Sequence, residues 1–234
     1  MNPTGTLYGV GVGPGDPELI TQKAVRIIRQ CPVIAAPQTG QARQVAFGIA
    51  SQAVENLDQK TILALPFPMV KDAEVLSKTR DELAAMLETP LREGKDVAFL
   101  TLGDPTIYST YWYLHQRIQQ KGIPTQFIPG VPSFCAAAAC LDLALVEADE
   151  PLHVLPASYA VTEEALALPG TKVLMKMGRS LEETRETLRK QGLLSRAMLV
   201  QNCGLPGERI CRDWENEPLD PSYFSMIVIK EERP

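Results

Sequence analysis

The chain has 234 residues, 45% of them hydrophobic, with a formal net charge of -5 at pH 7. That content supplies an ordinary buried core, and the acidic balance excludes the chain-wide basic field used by general nucleic-acid and anionic-membrane binders. Five cysteines without a Cys-x-x-Cys pair exclude a disulfide framework or zinc ribbon and predict reduced thiols. With neither a basic leader pattern nor an apolar run of membrane-spanning length, a cytoplasmic location is expected.

Residues 6–12 read as a strand that runs into Gly9-Val10-Gly11-Val12-Gly13-Pro14-Gly15-Asp16-Pro17. Glycines on alternate positions strip side chains from this strand-to-helix loop, so that backbone can approach a bound molecule closely. It is not a dinucleotide fingerprint. Counted from Gly9, Gly11 or Gly13, the sixth position holds Pro14, Asp16 or Glu18 where glycine is required. Nor is it a phosphate loop, because no Lys-Ser or Lys-Thr pair follows. Asp16 is expected to cap a helix with Pro17 as its first residue and Ile20, Ala24, Ile27 and Ile28 on one face, and Pro32 stops it. Residues 33–36 form a short apolar strand. After a charged helical stretch, residues 97–102 form a buried strand that breaks at Gly103-Asp104-Pro105. Ile107, Tyr111, Leu114 and Ile118 then recur at helical spacing up to Lys121-Gly122.

A strand at 126–128 leads into Pro129-Gly130-Val131-Pro132, with Ser133 placed to cap an alanine-rich helix. Further strands are expected at 152–155, 172–177, 197–201 and 224–229, with an amphipathic helix over 181–190. This alternation predicts an α/β fold of two lobes, 1–121 and 122–234. Glycine and proline cluster just beyond the strands at 13–15, 103–105 and 129–132, and again at Met177-Gly178 and Asn202-Cys203-Gly204. Open α/β sheets bind ligands at such strand ends.

These residues carry a resemblance. Gly11-Val12-Gly13-Pro14-Gly15-Asp16-Pro17-Glu18-Leu19, with Thr21, resembles the opening motif of the tetrapyrrole methylases, which transfer methyl from S-adenosylmethionine to uroporphyrinogen-derived rings. Gly103-Asp104-Pro105-Thr106-Ile107-Tyr108, Pro129-Gly130-Val131-Pro132-Ser133, Lys176-Met177-Gly178-Arg179 and Asn202-Cys203-Gly204 are similar to the motifs that follow in that family. Residues 102–113 and 131–139, with Phe67-Pro68-Met69, look most like its precorrin-2 C20-methyltransferase branch. The resemblance implies two α/β lobes with the cofactor between them, a tetrapyrrole substrate and a homodimer. Carried over by position, it implies a cofactor site of Pro14, Gly103, Asp104 and Ile107 from the first lobe and Pro132, Ser133, Met177 and Gly204 from the second. At Pro132 many members have a hydroxyl residue, so a side-chain hydrogen bond is lost there.

The chemistry adds further candidates. A sulfonium cofactor offers an adenine, a ribose and an amino-acid end, and Asp104 suits the ammonium or a ribose hydroxyl. Methyl transfer rests on positioning, after which Asp104 or Tyr108 is a candidate to take the proton from the methylated carbon. A carboxylate-rimmed macrocycle calls for local cations, for which Lys176 and Arg179 stand out from Lys71, Arg80 and Arg209 because they flank the Met177-Gly178 break. Tyr111, within the aromatic group Tyr108, Tyr111, Trp112 and Tyr113, is a candidate to border the ring. His115 and His153 read as structural, and no metal-ligating motif stands out. Methylation of uroporphyrinogen III or a later precorrin, diphthine synthesis, a non-catalytic tetrapyrrole carrier and, more remotely, a nicotinamide oxidoreductase stay open.

Overall fold

The structure is a computed structural model that describes residues 4–37, 41–67, 72–157, 163–177, 181–218 and 222–231. It divides into two compact units, 1–132 and 133–234. In the first, strands β1 (Leu7–Gly11), β2 (Val33–Pro37), β3 (Thr61–Leu65), β4 (Val97–Thr101) and β5 (Thr125–Ile128) form a sheet in the order β3-β2-β4-β1-β5. All its pairings are parallel. Helices α1 (Gln22–Gln30), α2 (Gln41–Ala53), α3 (Ala73–Arg92) and α4 (Tyr111–Gln120) complete the unit. A parallel sheet needs helices on both faces, so its strands are apolar on both sides, and every residue of β4 is buried. Val10, Ile28, Ile34, Ile49 and Leu100 make one core, and Leu7, Leu87, Phe99 and Leu114 the other.

The chain leaves β1 for β2 and β3, then returns to insert β4 between β1 and β2 before adding β5 on the far side of β1. Three adjacent strands, β4, β1 and β5, therefore end side by side with the three Gly/Pro loops at their carboxyl ends, where ligands bind in open α/β sheets. Asp16 caps less than expected. Its carboxylate accepts from the N–H of Glu18 at 2.8 Å and starts one 3-10 turn, Pro17–Leu19. Ile20 is extended, and Thr21 caps α1 by accepting from the N–H of Ala24 at 3.1 Å. Helix α4 likewise starts at Tyr111 rather than Ile107, because Tyr108 holds a left-handed φ of 47°.

The second unit comprises α5 (Ser133–Cys140), β6 (Leu152–Pro156), α6 (Glu163–Ala167), β7 (Thr171–Met175), α7 (Leu181–Lys190), β8 (Ala197–Gln201), β9 (Arg209–Cys211) and β10 (Ser225–Ile229). Its sheet runs β6-β7-β10-β8-β9 and is mixed. Strand β10 lies antiparallel to both β7 and β8, so those two run the same way and end at one edge. Leu174, Leu188, Leu199, Trp214 and Ile227 fill the core, where the Trp214 indole donates to the carbonyl of Ala197 at 2.9 Å.

The division falls between Pro132 and Ser133, not near Gly122. Strand β5 pairs with β1 in the register Leu7–Thr125 through Val10–Ile128 and belongs to the first sheet. The Gly122 turn only joins α4 to β5, as the amide of Gly122 donates to the carbonyl of Gln119 at 3.0 Å. Among the described residues no helix is long and apolar enough to cross a membrane.

Candidate functional site

The three loops of the first unit meet backbone to backbone. The amide of Gly103 donates to the carbonyl of Gly13 at 2.8 Å and that of Gly13 to the carbonyl of Gly103 at 3.3 Å, an isolated antiparallel bridge between the loops after β1 and β4. A Cβ on Gly11 would lie 2.6 Å from both the Gly103 oxygen and the Gly130 nitrogen. One on Gly130 would lie 2.2 Å from the Gly103 oxygen. These distances revise the sequence reading of the glycines. The space left by the missing side chains is filled by neighbouring loops, and at Gly9 by the Tyr111 ring, 2.0 Å from where a Cβ would sit. Glycine is required here for loop-to-loop approach.

Asp104 fixes this arrangement. One carboxylate oxygen accepts from the amide and hydroxyl of Thr106, at 2.8 Å and 2.5 Å, and the other from the amide of Gly130 at 3.0 Å. The side chain is buried and charge-assisted on both oxygens, so it ties the loop after β4 to the loop after β5. Both oxygens are thus committed to the loops, Oδ1 twice and Oδ2 once. Thr106 and Gly130, its partners, were quoted in the motifs without this role. The Asp-Pro-Thr run is a turn signal that was available for the first, while Gly130 lies too far along the chain for any local pattern.

Around this knot the other candidates take different positions. Pro14 and Gly103 are buried, Gly103 with φ 71°, and Ile107, Pro132 and Ser133 are half-buried. Tyr108 is 43% exposed. Tyr111 is wholly buried and is a core residue, which corrects its assignment to the substrate. Its hydroxyl donates to the carbonyls of Leu7 or Gln126, each at 3.2 Å, and lies 3.2 Å from Nδ1 of His115. Burial pushes its phenol well above the ordinary tyrosine range. The His115 Nε2 lies 3.2 Å from the Thr125 hydroxyl, and burial lowers its pKa, as befits a structural histidine. Trp112 and Tyr113 are exposed, the first stacked on His115 and Phe127, the second beneath the Arg80 guanidinium at 3.5 Å.

In the second unit, Lys176, Met177 and Gly204 share the edge where β7 and β8 end. Lys176 and Asn202 hold left-handed φ values of 58° and 52°, and Gly204 is exposed with φ 70°. Burial drives the Lys176 ammonium below the usual lysine range, and a carboxylate brought to it would favour the charged form. Met177 is 1% exposed and packs in the core of the second unit. Arg209 is held by Glu217 at 2.5 Å and by the carbonyl of Pro218 at 2.9 Å. Arg179, Gly178, Lys71, Pro68 and Met69 lie outside the described residues.

Comparison with known proteins agrees with these motifs. The model of the family of tetrapyrrole (corrin/porphyrin) methylases matches residues 6–217. The cobalamin biosynthesis protein CobIJ of Mycobacterium tuberculosis is 33% identical over 98% of this chain, and the chain spans 46% of that relative's length. A probable cobalt-precorrin-2 C(20)-methyltransferase of Methanocaldococcus jannaschii is 35% identical over 96% of this chain and 95% of its own. The crystal structure of uroporphyrin-III C-methyl transferase from Thermus thermophilus complexed with S-adenyl homocysteine superposes with a TM-score of 0.69 at 21% identity. It covers 97% of this chain and 98% of that one, and the likeness shows the fold.

Proposed function

Because this chain belongs to the tetrapyrrole (corrin/porphyrin) methylases, we propose that it transfers a methyl group from S-adenosylmethionine to the C20 meso carbon of precorrin-2, or of its cobalt-carrying counterpart, in corrin synthesis. The observation that carries this reading is the near end-to-end match to a C20-methyltransferase at 35% identity, in a chain whose motif loops all lie at strand carboxyl ends. The loops suit the cofactor chemically. Leu102, Ile107, Val131 and Pro132, which follow β4 and β5, are apolar yet only half-buried, the kind of residue on which an adenine ring packs.

When bound, S-adenosylmethionine supplies an electrophilic methyl group on a sulfonium. The protein's own part is placement. Asp104 holds the loops after β4 and β5 in register; within the first unit Pro14, Gly103, Ile107 and Pro132, and within the second Ser133 and Gly204, are the residues proposed to contact the cofactor. Met177 supports the loop after β7 from the core of the second unit. Lys176 meets a substrate carboxylate, with Arg179 as its neighbour in sequence. Of the two residues considered for removal of the proton after transfer, we favour Tyr108, since both Asp104 oxygens already accept hydrogen bonds within the loops. The same reading makes the protein a cytoplasmic homodimer, which light scattering on a sizing column tests.

The deciding experiment is an anaerobic incubation with metal-free and cobalt-containing precorrin-2 in parallel, with S-adenosylmethionine present, read by product mass and by NMR at C20. One added methyl on C20 establishes the activity and identifies the natural ring. No mass change with either ring, while S-adenosylhomocysteine still binds, keeps the family and rejects this substrate. Ring binding that ignores the cofactor points instead to a carrier.

A further inference from the structure

Cys140 is the last residue of α5, Cys203 follows β8 and Glu208 precedes β9, so the fold gathers three donors from separate parts of the second unit. The Sγ atoms of Cys140 and Cys203 lie 3.3 Å apart, and the Cys140 thiol donates to Glu208 Oε2 at 3.7 Å. All three donor atoms lie within 4.8 Å of one another. Successive turns, with the Leu205 amide on the Asn202 carbonyl at 2.8 Å and the Glu208 amide on the Leu205 carbonyl at 3.1 Å, bring Glu208 back beside Cys203. The amide of Gly204 donates to Glu208 Oε2 at 2.7 Å. Outer hydrogen bonds of this kind orient metal-ligating carboxylates.

We propose that Cys140, Cys203 and Glu208 form a binding site for a thiophilic divalent cation of the zinc class. Tetrahedral zinc with two thiolates at about 2.3 Å and a carboxylate at about 2.1 Å sets its donors roughly 3.5–3.8 Å apart, close to the spacings seen. A disulfide between the cysteines has no use for the third donor. Cys203 is buried, Cys140 half-buried and Glu208 exposed, which leaves a solvent side for entry and for water as the fourth ligand. The bound ion ties the end of α5 to the loop that carries Gly204. Each thiol gives up its proton to solvent on binding.

The test uses the full, reduced, metal-stripped chain titrated with Co2+ as the optical probe. The expected result is one equivalent bound, with a thiolate-to-cobalt band in the near ultraviolet and tetrahedral bands in the visible that Zn2+ displaces. Cys140→Ser or Cys203→Ser weakens binding on the order of 100-fold or more and reduces the thiolate band. Glu208→Gln, at an exposed position, keeps the thiolate band but alters the visible bands. A chain with Cys31, Cys135 and Cys211 all changed to serine behaves like the parent. Absence of the thiolate band at one equivalent, or its full survival in both cysteine variants, overturns the proposal. So does a Cys140–Cys203 disulfide that forms in air in a chain taking up no metal after reduction.

Discussion

The strand ends of the two units hold their loops by opposite means. In the first, backbone meets backbone. Gly11, Gly103 and Gly130 approach so closely that a methyl group is excluded at Gly11 and Gly130, and Asp104 turns inward onto amides. In the second, Lys176 and Asn202 adopt left-handed backbone themselves and keep their side chains, half-buried at the edge. The first arrangement is a scaffold that tolerates little substitution. The second presents side-chain chemistry at some cost in strain.

The contrast breaks most visibly if Gly130→Ala is tolerated. Its new Cβ would sit 2.2 Å from a carbonyl oxygen and 2.9 Å from Gly11, so we expect a loss of about 3 kcal/mol or more in urea unfolding, with S-adenosylhomocysteine binding lost as well. A cost below about 1 kcal/mol would show that the loops part easily.

Asp104→Asn is expected to cost about 2 kcal/mol, because an amide nitrogen must face either the Gly130 or the Thr106 amide, donor against donor. Cofactor affinity should fall with stability, and activity at saturating cofactor should persist. If turnover vanishes while stability holds, Asp104 acts on the reaction directly.

The second unit has a polar brace of its own, sensitive to acid. Hydrogen bonds from the Thr171 hydroxyl at 2.6 Å and from Lys230 at 2.9 Å hold the Glu150 carboxyl down at about 2. A depressed folded pKa contributes stability that is complete above the unfolded value near 4.5 and is lost as pH falls toward 2. The effect is on the order of 2 kcal/mol. Trp214, buried in that unit, reports it by fluorescence in a Trp112→Phe background, and Glu150→Gln should flatten the profile across that window.

The smallest effect has the opposite sign. Lys176→Gly relieves left-handed strain and should raise stability by up to about 1 kcal/mol while weakening binding of the carboxylate-bearing ring. Calorimetry and a binding titration on the same sample check both halves, and a fall in stability would mean that the lysine side chain supports the fold.

Much of the fold was legible because buried parallel strands write themselves as short apolar runs bounded by glycine and proline, as at 33–36 and 97–102. Strand β3 was absorbed into a helical stretch, since it is a half-exposed strand at the sheet's edge. The domain boundary was misplaced for a related reason: β5 is four residues long, and what assigns it to the first sheet is pairing with a strand made far earlier in the chain. At the site, the loops could be located from sequence but their partners could not. Tyr111 and Met177 fit both an exposed and a core reading until burial decided between them. The gathering of Cys140, Cys203 and Glu208 depends on how a helix end meets a strand end, which no spacing encodes.

The position of β1 at the centre of its sheet bears on how the protein is made. Leu7 pairs with Val97 on one side and Thr125 on the other, so β1 has neither partner until those residues are made. At about 5–20 residues per second that delay is on the order of ten seconds. For that time a hydrophobic strand with two open edges is exposed, and the nascent chain is a natural client for a chaperone that shields strand edges.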